Sequence, residues 1–224
     1  MVGRLYRGDI AWSDYRSRVP ITPPRHVEPP PLQADIAPNM ILPVIRHVPE
    51  GDGPDRTALE LGPCVWGVIP DWFRGAIGAW KRPAFAARGE DILQSTVFRG
   101  AFRYRRCLVP VHGWYLWEGE RGAKTRYAAA RRDGDWICLA AVWERALIEG
   151  SSRDGVAVVT TGPNDVVAGL ATRMPVVVAP EDYDVWLGSD MRAATRLIRP
   201  SPAEELLVWP SLDGYPTRPD LSSR

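Results

Sequence analysis

Short apolar runs, rather than long amphipathic ones, dominate the pattern of this chain. Residues 107–111, 114–117, 126–130, 136–143 and 156–161 are rich in β-branched and aromatic side chains. Such runs predict strands. Residues 40–48 predict another, with 58–69 as its hairpin partner across a turn at Asp52-Gly53-Pro54. Arg132-Asp133-Gly134 predicts a second hairpin turn, between strands 126–130 and 136–143. Residues 19–38 carry Pro20, Pro23, Pro24, Pro29, Pro30, Pro31 and Pro38. Proline has no amide hydrogen to give a ladder, so this stretch reads as an extended crossing over the surface.

Helical signals concentrate late. Ile92, Val97, Phe98 and Phe102 fit a short helix over 91–102. Thr161 or Asn164 can cap a helix running to Leu170, and helices over 181–187 and 190–198 follow a strand at 174–178. Ser201-Pro202-Ala203-Glu204 has the form of a capping box with proline at the first helical position. Many short strands with few helices predict an α+β fold: a strongly bent, mostly antiparallel sheet or open barrel with peripheral helices. At 224 residues, with no internal repeat, one domain over 1–224 is expected.

Composition narrows the class. Hydrophobic residues make up 45% and charged residues 25%, as in an ordinary globular protein. No apolar run is long enough for a bilayer-spanning helix, and the charged N-terminus shows no secretory signal, so a cytoplasmic location is expected. Cys64, Cys107 and Cys138 sit in apolar runs, which reads as reduced, buried thiols. No CxxC pair exists and the three histidines are dispersed, so neither a metal site nor a cofactor is expected.

The net charge of +1 reveals no basic face by itself. The distribution does more. Arg99, Arg103, Arg105 and Arg106 cluster, and Arg121, Lys124, Arg126, Arg131 and Arg132 follow, while acids gather at 50–60 and beyond 181. A solvated face and a nucleic-acid surface are both compatible with that pattern. Ten tryptophans leave the same choice between core packing and platforms for unpaired bases.

Several segments recur in a recognisable order. They are Met1-Val2-Gly3-Arg4, then Ala37-Pro38, then Trp66-Gly67 with Pro70 and Trp72, then Ala86-Ala87-Arg88-Gly89-Glu90. Arg106-Cys107-Leu108-Val109-Pro110 follows, with Gly113-Trp114-Tyr115-Leu116-Trp117 behind it. Last come Thr160-Thr161, Asn164, Ala171-Thr172-Arg173-Met174-Pro175 and Trp186-Leu187. Each is weak alone. Together, over roughly 1–210, they resemble the SOS-response-associated peptidase (SRAP) family.

The resemblance implies a chemistry and also its loss. In that family a cysteine follows the initiator methionine. Its amine attacks the aldehyde of an abasic site in single-stranded DNA, and its thiol closes a ring to give a stable crosslink. An asparagine, a glutamate and a histidine surround it to move protons. At the matching positions this chain has Val2, Ala86, Leu116 and Ala171. Four polar positions have become apolar, so no durable crosslink is expected, and any Schiff base at the Val2 amine is expected to be weak or absent.

The binding positions are kept. Arg4, Arg88 and Arg173 match family arginines along the DNA path, where guanidinium forks suit phosphates. Pro38, Trp66 and Trp72 match an apolar wedge beside the lesion, although core packing explains the tryptophans equally well. Arg88 and Arg173 also fit structural ion pairs, with Glu90 as one partner. His112 is the one residue near the lost glutamate that could shuttle protons; a surface histidine at a strand end is the plainer reading. The expectation is a non-covalent binder of single-stranded or junction DNA. A protein-interaction module that keeps only the fold is the alternative, and an enzyme with altered residues ranks behind both.

Overall fold

A computed structural model describes residues 2–21, 28–48, 58–81, 84–120, 122–212 and 214–220. The turn expected at Asp52-Gly53-Pro54 lies outside the described residues. In chain order the elements begin with β1 (Leu5–Arg7), α1 (Trp12–Arg18), β2 (Gln33–Ile36), β3 (Ile41–His47), β4 (Leu59–Trp66) and β5 (Ala86–Arg88). They continue with α2 (Arg99–Tyr104), β6 (Arg106–Val111), β7 (Gly113–Glu118), β8 (Thr125–Arg131), β9 (Ile137–Ile148) and β10 (Ser151–Thr161). After them come α3 (Asp165–Ala168), β11 (Met174–Pro175), β12 (Val177–Val178), α4 (Tyr183–Leu187), α5 (Met191–Arg196) and β13 (Leu206–Pro210).

Strands β10, β4, β3, β6 and β9 are hydrogen-bonded in that order, and β9 pairs again with β10. The bent sheet is therefore a closed five-stranded barrel, which leaves these strands no free edge. Strands β5, β11 and β12 extend it, and β4 and β5 run parallel to β10. A second, antiparallel sheet has the order β13-β8-β7-β1-β2. The fold is α+β, as expected.

Alternation along the barrel strands explains why they read as continuous apolar runs. Leu108, Ala140, Val142, Ala157 and Val159 face one cluster, where Phe102, Trp186 and Ala194 cover them from the helices. Their neighbours Cys107, Val109, Leu139, Ala141, Val156 and Val158 face another, with Trp114, Leu116 and Ala129 from the second sheet. Successive side chains point to opposite faces of a strand, and here both faces are buried.

Several elements differ from the sequence reading. Arg132-Asp133-Gly134 makes a tight turn, with Gly134 at φ +84°, but not a hairpin. β8 pairs with β7 and β13, whereas β9 pairs with β6, β10 and β12, so the chain changes sheets there. The long hairpin is β9–β10, turning on Glu149 and Gly150 at φ +50° and +80°. Two positive-φ residues match the twist of the flanking strands. The helix expected over 91–102 is confined to α2, because the Ser95 hydroxyl accepts from the amides of Val97 and Phe98 and turns the chain there. The capping box opens only a 3-10 turn at Ala203–Glu205, after which β13 pairs along β8. Within 19–38, β2 is the edge strand of its sheet, the place proline-flanked strands can occupy.

Candidate functional site

The pairing of β1 with β7 sets the position of Val2. Leu5 lies opposite Trp114, and the Tyr115 amide donates to the Arg4 carbonyl at 3.0 Å. Val2 is 1% exposed and shares a cluster with Leu116, Trp66, Trp114 and Val158. Ala171 packs against that cluster. Its amide donates to Val167 at the end of α3, whose cap is the Asn164 side chain, accepting from the Val167 amide at 3.1 Å. Ala86 lies in β5 directly opposite Val158 of the cluster. The structure thus brings Val2, Leu116 and Ala171 together, with Ala86 one strand away. None of these four side chains can accept or donate a proton or attack an electrophile.

The wedge divides. Trp66 is 0% exposed, and its indole N–H donates to the Phe85 carbonyl at 2.8 Å. It is core. Its backbone also hangs the Pro38 turn: the Asn39 amide donates to the Trp66 carbonyl at 2.8 Å, and the Trp66 amide to Met40 at 2.8 Å. Pro38 is half-buried in that turn. Trp72 is 53% exposed, edge-on to Trp80 with centroids 6.0 Å apart, and is the ring with a face to offer.

All three arginines have internal carboxylate partners. Arg4 meets Asp35 at 2.9 Å and Arg88 meets Asp91 at 2.9 Å, both pairs well exposed. Exposed pairs contribute little stability, typically about 0–1 kcal/mol, so a phosphate can compete for them. Arg173 is mostly buried. It donates to the Glu90 carboxylate at 2.7 Å, to the Thr160 carbonyl at 2.7 Å and to the Thr160 hydroxyl at 3.0 Å. That hydroxyl donates in turn to the Ala87 carbonyl at 3.1 Å, which ties β5 to β10. Burial alone would raise the Glu90 carboxyl, but the bond from Arg173, together with a backbone hydrogen bond and the charges of Arg173 and Arg88, holds it below the usual range.

The basic cluster also divides. Arg106 is buried, donating to the carbonyls of Trp186 and Phe102 at 2.6 Å and to that of Gly188. It closes the ends of α2 and α4, where carbonyls lack helical partners. Arg105 pairs with Glu144 at 2.5 Å. Arg99 and Arg103 are exposed.

His112 is engaged elsewhere. Its Nδ1 accepts the Gly8 amide at 2.9 Å, and its ring packs edge-on to Tyr215. Burial lowers its pKa from the usual 6.5, against the opposing pull of Asp135 and Asp9. The fold therefore prefers the neutral ring. That preference is fully present above pH 6.5 and is lost as pH falls through the lower folded value, so His112 makes stability rise with pH across that window. Replacing His112 with Asn keeps an acceptor and removes the titration. Urea unfolding from pH 6.5 downward should show a shallower loss of stability in the variant.

Sequence reasoning missed the carboxylates that answer Arg4 and Arg88, and Thr160 beneath Arg173. Asp35 and Asp91 are ordinary acids in sequence, and only pairing across strands and turns makes them partners.

Comparison with known proteins bears on the family and the fold. Residues 1–212 match the family model described as SOS response associated peptidase (SRAP). The abasic site processing protein YedK of Escherichia coli is 27% identical over 133 residues, 59% of this chain and 57% of that protein. The abasic site processing protein YoqW of Bacillus subtilis is 25% identical over 160 residues, 69% of this chain and 70% of that one. This chain thus spans just over half the length of the first relative. Among solved structures, a Bordetella bronchiseptica protein superposes with a TM-score of 0.76 over 94% of this chain and 99% of its own, at 23% identity. A Bacteroides thetaiotaomicron protein gives 0.71 over 80% and 78%, at 22% identity. These structural likenesses concern the fold. The match over nearly the whole chain decides the family: this protein belongs to the SOS response associated peptidases.

Proposed function

We propose that this protein binds single-stranded or junction DNA at or near abasic sites without forming the durable crosslink that the resemblance implies for its active relatives. The observation that carries this reading is the apolar cluster that buries Val2 and Leu116, with Ala171 packed against it. A thiol is missing where ring closure would need one. Proton-transferring groups are missing where a Schiff base would need them. The relatives named for abasic site processing support the DNA-damage setting. The reading takes 1–224 as one domain. Three free thiols fit a reducing, cytoplasmic setting.

Binding would rest on Arg4 and Arg88, which exchange exposed ion pairs for phosphates, on Arg173 behind them, and on Trp72 as the stacking face. Three phosphate contacts to a single strand give a slope of log K against log salt of about −2. Arg4→Glu with Arg88→Glu should reduce it to about −0.7 and weaken binding at low salt. Both side chains are exposed, so the melting temperature should stay near that of the parent. Fluorescence anisotropy with a labelled single strand reads all of this. An unchanged slope would refute the assignment.

A second reading, a protein-interaction module keeping only the fold, is favoured by one observation: every arginine of the proposed path is already paired. It predicts no salt-sensitive DNA binding at all. A hydrolase built on His112 ranks last, because the buried Nδ1 is committed to Gly8.

A further inference from the structure

The side chain of Arg7 is out of place for a core residue. It is 1% exposed, and Nε and Nη1 are buried without a hydrogen-bond partner among the described residues. Only Nη2 is satisfied, by the Pro31 carbonyl and by the Gln33 side chain at 3.2 Å. No carboxylate among the described residues forms an ion pair with it. Asp9, whose charge reaches Arg7, spends its Oδ1 on the Leu32 amide. A buried charge without a partner costs several kcal/mol. Consistently, burial pulls the Arg7 pKa below its ordinary value.

Arg7 also lines a groove of about 230 Å³. The proline-rich crossing forms one wall with Pro31, and Ile41, Leu61 and Pro63 of β3 and β4 form another, with Trp12 of α1 beside them. Glu28 is the only acid lining it among the described residues. The walls are otherwise almost wholly apolar, and the unpaired guanidinium is the positive charge among them.

We infer that this groove binds a small organic monocarboxylate with a compact apolar body. The carboxylate supplies the missing countercharge, and a turn of the Arg7 side chain toward the groove brings one of its two free donors to it. The body replaces water against Trp12, Ile41 and Leu61. A phosphate dianion fits less well, since it needs several donors and gains nothing from apolar walls. The site shares no residue with the proposed DNA path.

Titration of the full chain with phenylacetate, followed by calorimetry and by tryptophan fluorescence that includes Trp12, tests this. Phenylacetate should bind saturably, and its neutral isostere phenylacetamide about ten-fold more weakly or not at all. Arg7→Met should abolish the preference for the acid. Ile41→Asp, at an exposed rim position, should weaken phenylacetate by about ten-fold through repulsion while leaving the fold intact. If Arg7→Met does not fold, Ile41→Asp decides alone. Three results would overturn the inference: equal affinity for acid and amide, binding indifferent to Ile41→Asp, or no saturable binding of phenylacetate, benzoate or butyrate at millimolar concentration. Binding that appears only after Glu28→Gln would also overturn it, because Glu28 would then be the natural counter-ion.

Discussion

Replacing Arg46 with methionine will cost roughly 3–5 kcal/mol of folding stability. Arg46 lies on β3 and is 4% exposed. Its Nε donates to Glu60 of β4 at 2.9 Å, and its Nη1 to Asp154 of β10 at 2.8 Å and to the Cys64 sulfur at 3.4 Å. Its guanidinium also sits 4.3 Å from the ring centroid of Trp143 on β9. One cation therefore joins four of the five barrel strands. Burial alone would raise the Asp154 carboxyl, but bonds from Arg145 and Arg46 keep it ionised and lower its pKa. Removing Arg46 leaves the mostly buried Asp154 with its two bonds from Arg145 and takes from Glu60 its bond to β3. Adding Asp154→Leu removes much of that debt, so the double variant should recover a large part of the loss. Urea denaturation of the three proteins measures this. Equal losses in the single and double variants would mean that packing, not charge, sets the cost.

The tryptophans give the second large effect, by contrast. Trp66→Ala should cost about 3–5 kcal/mol, because it empties a filled site between the barrel and the second sheet and orphans the Phe85 carbonyl. Trp72→Ala should change stability by no more than about 0.5 kcal/mol. On the proposed function it should nevertheless weaken single-strand binding by about 1–3 kcal/mol, the value of one base stacked on an aromatic ring. Thermal unfolding and anisotropy titration of the same two proteins separate the roles. A Trp66 variant that stays stable but loses DNA would place the wedge where the sequence resemblance puts it.

The barrel was legible because its strands are buried on both faces, so runs such as 107–111 and 156–161 stand out against polar turns. Its partners were less so. β1 is three residues with a terminal arginine, β5 is Ala-Ala-Arg, and β13 ends in proline behind a helix-like cap. Such segments become strands because a neighbour offers an unpaired edge, which no local pattern records. Arg132-Asp133-Gly134 makes the same point: turn chemistry bends the chain without choosing which strand it meets. At the site, the family resemblance pointed to Val2, Leu116 and Ala171; the first two share one buried cluster and the third packs against it. Burial, however, separated Trp66 from Trp72, and pairing over long sequence distances decided that Arg4 holds Asp35, that Arg173 holds Thr160 and that His112 serves Gly8.

The central claim is binding without covalent capture. A single-stranded DNA carrying one abasic site is incubated with the protein, and each sample is divided between a native and a denaturing gel. The account predicts a shifted band on the native gel that vanishes on the denaturing one. A band that survives denaturation would show that Val2 or another residue still forms the adduct, and would contradict it.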